Sequence, residues 1–367
     1  MRRVQMLAVF VAALLGGAWF AGLDVSAQQR ETKFAGQTLR AAMWGGTWAD
    51  AIKKTVAQRF EAQTGAKVAY VLGNPTDYAT QLIAARGANV PFDVAYWDPG
   101  TQTDLVQQGL LDKVDTQAVP LATDPKGFKP LNPGYSPGAH LYYLGIAYNT
   151  KKFEELGLKP PTSWNDFWNP KLAGRVSVPD ITTSMGMSMI ASAAAVAGKR
   201  WSDVDAGVKK LSELKLYSVY KSSSQMQNDF AAGNIWAAAA TDGRAWQLTD
   251  GGKPVSFVVP TVPGTNRPGW VEFMFIDVVK GTPKPELAKI FQRIAHGADI
   301  QVAMANETSY SPMLRTAVEQ LYRENPGKWK HRWPTPDVWD QVEVVDWSVA
   351  LPLMPRAVDL FNRQLAR

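Results

Sequence analysis

The sequence contains no cysteine and only three histidines among its 367 residues. Without cysteine, disulfide bonds and cysteine-ligated zinc sites are excluded, so the fold must be stabilised by burial of ordinary apolar side chains. His140, His296 and His331 lie far apart, without the spacing of a metal site, and each is interpreted as a surface or structural residue. The sequence therefore predicts neither a metal site nor a cofactor.

Recognisable catalytic motifs are also missing. The sequence has no G-x-S-x-G elbow, no H-E-x-x-H zinc motif, no Walker A loop and no G-x-G-x-x-G in a strand-to-helix context. Adjacent carboxylates such as Glu154 and Glu155 fall on a predicted exposed helix and are interpreted as solvated charge. We therefore expect a protein that is not an enzyme.

The excess of basic over acidic residues is small. The chain has 39 Lys and Arg against 33 Asp and Glu, and the basic residues are spread along the sequence. A surplus of this size without clustering does not indicate a nucleic-acid partner. Low-complexity tracts, heptads and fixed-period repeats are absent as well.

The first 27 residues have the three regions of an export signal. Arg2 and Arg3 precede an apolar run at residues 4–23, and Ala27 ends a stretch of small residues. The alternative is a transmembrane anchor, since the run is nearly long enough to span a bilayer. The small residues at its end, with no basic stop-transfer cluster after them, favour cleavage near Ala27.

The stretch at residues 38–65 predicts a strand, a glycine turn and a helix. Residues 39–43 are apolar and typical of a buried strand, and Gly45 with Gly46 gives the backbone freedom for a turn. Thr47, with Asp50 three residues later, fits a capping box, so we expect the helix to begin there. Open α/β folds bind ligands at this edge, where a strand ends and a helix begins.

Further apolar runs alternate with helical segments along the rest of the chain. Ser163 with Asp166 predicts another capping box. About 340 residues remain after the signal, enough for two domains. Runs that are continuously apolar, rather than alternating, favour parallel sheets covered on both faces. The predicted later strands are residues 67–72, 92–97, 142–148, 175–178, 216–220, 235–240, 254–260 and 271–279.

Three stretches in a fixed order carry a resemblance to a known family. They are WGGTWADAIKKTVAQRFEAQTGAKV from Trp44, PTSWNDFWNPKLAGRVSVPD from Pro161, and SYSP from Ser309. In this order the chain resembles the extracellular solute-binding proteins of ATP-driven importers, most closely the spermidine/putrescine-binding branch. The resemblance covers about residues 36–320.

The resemblance implies an α/β, two-lobed periplasmic-binding-protein fold of type II. Each lobe is expected to be a doubly wound sheet with helices on both faces, and hinge strands join the lobes. On that pattern residues 28–145 and 272–325 form lobe one, and residues 146–271 form lobe two. Residues 326–367 are expected to form a C-terminal helical segment. The family pattern also implies closure of the lobes on a solute.

The family's polyamine site maps by resemblance onto Trp44, Tyr78, Trp270, Glu272 and Tyr310. Aromatic faces and carboxylates suit this role, since they hold alkylammonium groups by cation–π attraction and charge-assisted bonds. Trp270 and Glu272 are two residues apart, so on a strand they share a face. Glu272 is therefore the strongest candidate for a ligand contact.

Four further candidates stand at strand or helix ends. Asp98 and Asp242 follow predicted strands as acidic candidates. Thr183 and Ser184 stand where the polyamine binders carry acidic residues. They are interpreted as helix caps or, alternatively, as contacts to a neutral or anionic group. This difference from the polyamine binders favours a ligand with fewer amines than spermidine, or one with a cationic end and a neutral or anionic end.

The resemblance also implies partners and a location. We expect a periplasmic monomer that binds a small-molecule solute and meets an inner-membrane ABC permease with a separate ATPase. One alternative is a ferric-ion binder of similar architecture, for which Tyr142 with Tyr143 and Tyr217 with Tyr220 are paired tyrosines. Another is a binder of an anionic or neutral solute such as a phosphonate or a sugar. An exported enzyme is disfavoured by the missing motifs.

Overall fold

The computed structural model describes residues 33–86, 88–117, 119, 131–262, 264, 269–329, 332 and 343–364. The predicted export signal, His331 and part of the Pro- and Gly-rich connection that follows residue 115 lie outside these ranges. Among the helices of the described residues, none is both long and apolar enough to span a bilayer.

Eleven strands of the described residues lie in one hydrogen-bonded sheet with the path β2-β1-β3-β9-β4-β7-β5-β6. β8 and β10 also pair with β4, and β11 pairs with β9. The strands are β1 (Thr38–Met43), β2 (Lys67–Leu72), β3 (Val94–Trp97), β4 (His140–Asn149), β5 (Val176–Pro179), β6 (Leu216–Tyr220), β7 (Ala237–Thr241), β8 (Val255–Val258), β9 (Trp270–Val278), β10 (Ser311–Pro312) and β11 (Glu343–Val344).

Helices connect these strands and cover the sheet. A π-helical turn (Lys53–Ala57) joins the first two, and two short 3-10 helices (Trp164–Trp168 and Pro170–Leu172) precede β5. The α-helices are α1 (Thr47–Ile52), α2 (Gln58–Thr64), α3 (Pro75–Ala85), α4 (Pro99–Gln107), α5 (Thr150–Glu155), α6 (Ser184–Val196), α7 (Val204–Leu211), α8 (Ser223–Ala231), α9 (Asp242–Asp250), α10 (Pro285–Ala295), α11 (Ala298–Thr308), α12 (Arg315–Glu324), α13 (Pro326–Trp329) and α14 (Trp347–Gln364).

The sheet path contains the same topology twice. In the first half, β1 pairs in parallel with β2 and β3, and β9 runs antiparallel beside β3. In the second half, β5 pairs in parallel with β6 and β7, and β4 runs antiparallel beside β7. β4 and β9 pair antiparallel, with Tyr142 opposite Glu272. We call β1–β3 and the elements packed on them the first half, and β5–β7 and theirs the second half.

Apolar burial anchors the opening helical stretch as its spacing predicts. Ile52, Val56 and Phe60 are buried, and Gly65 ends the stretch with a φ of 70°. A left-handed glycine of this kind is the usual stop of a helix, because an added Cβ would be strained there. The parallel pairing of β1 with its neighbours agrees with the continuous apolar runs.

One predicted capping box is confirmed and the other is wrong. Ser163 and Asp166 form both reciprocal bonds of the motif. At the opening helix, the cap is Gly46, whose φ is 65°, and no side chain caps the helix. Thr47 is itself the first helical residue, which leaves its hydroxyl free for another partner. The π-helical turn at Lys53–Ala57 was not predicted, since it leaves the apolar spacing nearly unchanged.

The C-terminal helix begins at Trp347, inside the predicted helical segment, and contacts both halves. A Cβ added at Gly100 of α4 would lie 2.7 Å from the Trp347 ring, so the two elements pack without a gap. Arg356 donates from Nε to Asp205 of α7 at 2.7 Å. The helix therefore contacts α4 of the first half and α7 of the second.

Candidate functional site

A cavity of about 420 Å³ lies where the parallel strands of the two halves end. Small-molecule sites have volumes of roughly 300 to 1,000 Å³, and open α/β folds place them at this edge. The lining residues are Trp44, Gly45, Gly46, Trp48, residues 72–76 and Asp98 from the first half; Pro179, Asp180, residues 183–185, residues 220–224, Thr241 and Arg244 from the second; and Tyr142, Met274 and Tyr310.

Helix starts surround this cavity. The loops after β1, β2 and β3 lead into α1, α3 and α4, and those after β5, β6 and β7 lead into α6, α8 and α9. Free backbone N–H groups give the start of a helix a partial positive charge. The cavity wall is therefore electropositive in its backbone, and any negative charge on it must come from side chains.

The nine predicted site residues divide into two groups. Those that line the cavity are Trp44, Asp98, Thr183, Ser184 and Tyr310. Those that lie away from it are Tyr78, Asp242, Trp270 and Glu272, each of them buried. The first group supplies both aromatic and polar surface, and the second group is held in the interior by contacts described below.

Asp98 places a carboxylate on the cavity wall of the first half. It follows β3 and caps α4, accepting from the Thr101 amide at 2.8 Å. Burial raises the pKa of Asp98, while hydrogen bonds from Thr101 and Ser184 act in the opposite direction. The amide of Gly100 reaches the Ser184 hydroxyl of the second half at 3.4 Å. Asp98 therefore lies where the two halves meet.

Aromatic rings form a cluster beside this carboxylate. The Trp44 and Trp48 rings meet edge to face with centroids 5.7 Å apart, and the Trp48 and Tyr310 rings are 5.9 Å apart. Tyr142 lies 6.2 Å from Tyr310, whose hydroxyl is 3.2 Å from the hydroxyl of Thr241 in the second half. Sequence reasoning missed Trp48, although its position at the start of the predicted helix, four residues after Trp44, was a usable signal.

Thr183 has a capping role as well as a place on the wall. Its hydroxyl accepts from the Gly186 amide at 3.1 Å and donates to the carbonyl of Asp180 at 2.7 Å. The Asp180 carboxylate accepts from the Thr182 amide and hydroxyl at 2.9 and 2.7 Å. These bonds occupy the Thr183 hydroxyl in both directions, whereas both bonds to Asp180 are made at the same carboxylate oxygen, Oδ1.

Tyr78 points into the core, which corrects its assignment to the cavity wall. It stands in the first turn of α3, and its hydroxyl donates to the backbone carbonyl of Tyr96. Its ring centroid lies 5.1 Å from that of Trp97. The wall is formed instead by residues 72–76, which immediately precede and begin the helix.

Trp270 and Glu272 share a face of β9, as predicted, but that face packs on α6 and not on the cavity. The Trp270 indole donates to the Ser192 hydroxyl at 2.8 Å, and the Ser188 hydroxyl donates to Glu272. Tyr142 donates to the other carboxyl oxygen of Glu272 at 2.9 Å. Burial raises the pKa of Glu272 to about 8. Glu272 therefore does not line the cavity, but it is hydrogen-bonded to Tyr142, which does.

Asp242 is also buried away from the cavity, whereas Arg244 two residues later lines it. Asp242 accepts from the Tyr143 amide at 3.3 Å, and burial raises its pKa to about 8. Arg244 donates from Nη1 to the Thr47 hydroxyl at 2.6 Å across the cavity. Sequence reasoning missed Arg244, because a charged residue in a helix is usually solvated.

The tyrosine pairs of the ferric-ion alternative are separated by the fold. Tyr142 and Tyr220 line the cavity, while Tyr143 is buried elsewhere and Tyr217 is 44% exposed. The Tyr220 hydroxyl donates to the Ala239 carbonyl at 2.8 Å, and burial raises its pKa. Within the described residues, no group of three or more His, Asp or Glu side chains could hold a metal ion.

The family model described as bacterial extracellular solute-binding protein matches residues 55–334. This chain belongs to that family. A relative of this solute-binding protein is spermidine/putrescine-binding periplasmic protein 1 of Haemophilus influenzae, 29% identical over 180 residues. The aligned part is 47% of this chain and 47% of the relative, so the chain spans about half the length of the curated relative it matches.

Solved structures confirm the two-lobed fold that the resemblance implies. A GABA receptor is 22% identical with a TM-score of 0.73, covering 90% of the solute-binding protein and 98% of that chain. The binding protein MotA of A. tumefaciens B6 in complex with glucopine is 18% identical with a TM-score of 0.74. The match covers 89% of this chain and 99% of MotA. At these identities the likeness concerns the fold alone.

Proposed function

We propose that this protein is the periplasmic component of an ABC importer that captures a small amine-containing solute between its lobes. It delivers the solute to an inner-membrane permease whose ATPase is a separate chain. Family membership supports the transport role, and the cavity between the halves supports the binding role. A chain without a recognised catalytic motif agrees with capture rather than conversion of the solute.

The observation that supports an amine-containing solute is the buried carboxylate of Asp98 beside the aromatic cluster. A carboxylate accepts charge-assisted hydrogen bonds from an ammonium, and each aromatic face adds cation–π attraction of ~0.5 to 2 kcal/mol. In this proposal Asp98 holds the ammonium, while Trp44 and Tyr310 cover the attached carbons. Tyr142, held by Glu272, completes the wall from the crossing strand β4.

The names of the relatives agree with an amine but differ in the solute. The Haemophilus relative is named for spermidine and putrescine, and the two solved structures are named for GABA and glucopine. Spermidine, putrescine and GABA each carry a primary amine. The amine is therefore the part of the solute that the relatives and the cavity jointly support.

Lobe closure is the mechanism of this proposal. Residues 28–145 and 272–325 would form lobe one, residues 146–271 lobe two, and β4 and β9 would be the hinges between them. A solute that contacts both lobes stabilises the closed form, because it binds that form more tightly than the open one. Small-angle scattering is expected to show a smaller radius of gyration at saturation with the solute.

Export is the other part of this proposal. The mature chain would begin at Gln28 after cleavage near Ala27. Mass spectrometry of the exported protein measures the N-terminus directly. Recovery of an intact chain from the membrane fraction would instead indicate an anchored form.

A thermal-shift screen against amines, amino acids, sugars, phosphonates and ferric salt tests the proposed solute class. A ligand at one hundred times its Kd stabilises the folded state by ~2.7 kcal/mol, which is measurable as a rise in Tm. We expect amine-bearing compounds to raise Tm, and we expect Asp98→Asn to reduce that rise. A rise with sugars, phosphonates or iron alone would contradict the proposal.

A further inference from the structure

Arg244 is a buried cation on the cavity wall without a carboxylate partner. The residue is 8% exposed, which means that it is 92% buried. None of the ion pairs among the described residues includes it. Its Nη1 donates to the Thr47 hydroxyl at 2.6 Å and, at 3.4 Å, to Gln247. Both partners are neutral, so none of the described residues pairs with its charge.

The Nη2 donors of this guanidinium are available to a ligand, because Nη2 has no hydrogen-bond partner among the described residues and, unlike Nε, is not fully buried. An arginine has five N–H donors in a planar fork, and here the bonds are made from Nη1. Within the described structure, the buried Nε has no hydrogen-bond partner. A buried charge that is unpaired is costly, and a bidentate oxyanion is the group that matches the fork best.

The charges on the cavity wall balance one another. The lining residues include two carboxylates, Asp98 and Asp180, and two cations, Lys221 and Arg244. The carboxyls of Glu272 and Asp242 lie behind the wall, and burial raises the pKa of each to about 8, so at neutral pH they add little negative charge. A polyamine carries several positive charges and would leave this wall, already electropositive at its helix starts, with an excess of positive charge.

The first half contributes one charged residue to the wall, Asp98, and the second half contributes Arg244 together with Lys221 and Asp180. Asp98 ends β3 in the first half, and Arg244 follows β7 in the second. The bond from Arg244 to Thr47 fixes the guanidinium across the cavity toward the first half. A solute with an ammonium at one end and an acid at the other would therefore contact both halves at once.

We propose that Arg244 binds a carboxylate of the solute while Asp98 binds its ammonium, so that the solute is an amino carboxylate and not a polyamine. This assignment rests on the proposed capture of an amine in the same cavity. It makes Arg244 the residue that distinguishes amino carboxylates from diamines. It also explains why hydroxyls stand on this wall where the polyamine binders have acidic residues.

Calorimetry with a matched series of probes tests this assignment. The series contains straight-chain diamines, the ω-amino acids of the same lengths, among them putrescine and γ-aminobutyrate, and the corresponding monoamines. We expect the best ω-amino acid to bind at least tenfold more tightly than its matched diamine and monoamine. The ratio reports the carboxylate alone, because the ammonium and the chain are shared.

Arg244→Gln then removes the charge and keeps a polar side chain. We expect the affinity for the ω-amino acid to fall by roughly ten- to a hundredfold, the range of a hydrogen bond to a charged group. The affinity for the diamine is expected to stay the same or to increase. Arg244→Lys, which keeps the charge without the fork, is expected to restore part of the affinity. The control is Arg175→Gln, because Arg175 is an exposed arginine of the second half outside the cavity. This variant is expected to change neither the affinity for the ω-amino acid nor the affinity for the diamine.

The possible outcomes separate the two proposals. A diamine that binds more tightly than its ω-amino acid, or an Arg244→Gln variant that weakens both probes equally, overturns the carboxylate assignment and leaves the amine proposal standing. A series in which no amine binds refutes the amine proposal and this assignment together. Circular dichroism melting of each variant shows that a loss of binding is not a loss of folding, and Arg244→Lys provides the second variant if Arg244→Gln does not fold.

Discussion

The two halves of this solute-binding protein have the same strand order but different chemistry where their strands end. The first half places Trp44, Trp48 and Asp98 on the cavity wall, whereas the second half places hydroxyls, Asp180 and the two cations Lys221 and Arg244 there. Both halves reach this arrangement through parallel strands followed by helices, with one antiparallel strand received from the crossing pair. Topology therefore brings six loops together, and the residue types on those loops decide which solute fits.

Two glycines near the starts of cavity helices, one in each half, also differ in their packing. In the second half, a Cβ at Gly186 would lie 2.3 Å from the carbonyl oxygen of Asp180. In the first half, a Cβ at Gly45 would have no atom within 4 Å. The backbone at Gly186 is thus closely packed, while Gly45 has open space beside Trp44.

The largest expected effect is on the stability of the second half. Gly186→Ala forces a methyl group against backbone, and overpacking of this kind typically costs ~1 to 3 kcal/mol or more. The gain of ~1 kcal/mol from replacing a helical glycine by alanine is smaller, so the net free energy of unfolding is expected to fall. Urea denaturation measures the difference.

The matched change in the first half is Gly45→Ala, for which we expect a free energy of unfolding within ~0.5 kcal/mol of the parent, as for ordinary surface changes. Equal losses at both glycines would contradict the difference in packing between them.

The next effect concerns the carboxylates that the two halves place on the cavity wall. Asp98→Asn keeps a side chain that can cap α4 but removes the negative charge. We expect binding of the best amine to weaken by ~1.5 to 3 kcal/mol, the size of a hydrogen bond to a charged group. Asp180→Asn is expected to weaken it less, because Asp180 is more exposed than Asp98 and water screens its charge more. Calorimetry that shows a larger loss at Asp180 would place the ammonium in the second half.

The crossing strands supply a third effect, on pH dependence. Burial raises the pKa of Glu272 from 4.5 to about 8 in the folded protein. Between these values the folded state keeps a proton that the unfolded state has released, so the free energy of unfolding falls as pH rises, by at most ~1.4 kcal/mol per pH unit for this group. Glu272→Gln is expected to make the slope between about pH 5 and 8 shallower.

At neutral pH the same variant is expected to have nearly the affinity of the parent, because a neutral amide replaces a carboxyl that is mostly protonated. This outcome differs from the loss of a direct ligand contact that the sequence alone predicts. Urea denaturation over the pH range measures the slope. An unchanged slope, or a large loss of affinity at neutral pH, would show that Glu272 is ionised in the folded protein.

The smallest effect concerns contact between the halves without solute. Thr47→Val removes the acceptor of the Arg244 bond across the cavity, worth ~0.5 to 1.5 kcal/mol. We expect the solute-free protein to become more open, with a larger radius of gyration by small-angle scattering. Thr80→Val is the control, since the Thr80 hydroxyl bonds only within α3. Identical scattering from the two variants would show that this bond does not hold the halves together.

Local patterns in the sequence were sufficient for most of the fold. Apolar runs located the strands, glycines and capping residues located many helix ends, and the order of motifs identified the two-lobed architecture. Asp98 and Trp44 could be assigned to the cavity because each directly follows a strand of a parallel sheet. Their position depends on the strands next to them in the chain, and these strands can be predicted from the sequence.

Side-chain direction in the interior could not be predicted in the same way. Glu272 and Trp270 share a face, but which helix covers that face depends on α6, far away in the sequence. Tyr78 turns inward because α3 begins at Pro75, so its register decides its direction. Arg244 lacked a signal, since its importance comes from burial and from the absence of a counter-ion among the described residues.

The most direct test of this account is a crystal structure of the protein with the ω-amino acid that binds most tightly in calorimetry. The account predicts a closed form with the ammonium within about 3 Å of the Asp98 carboxylate and the carboxylate bound by the Arg244 guanidinium. A solute in the reversed orientation, or one that touches only one half, would contradict the division of charge between the two halves.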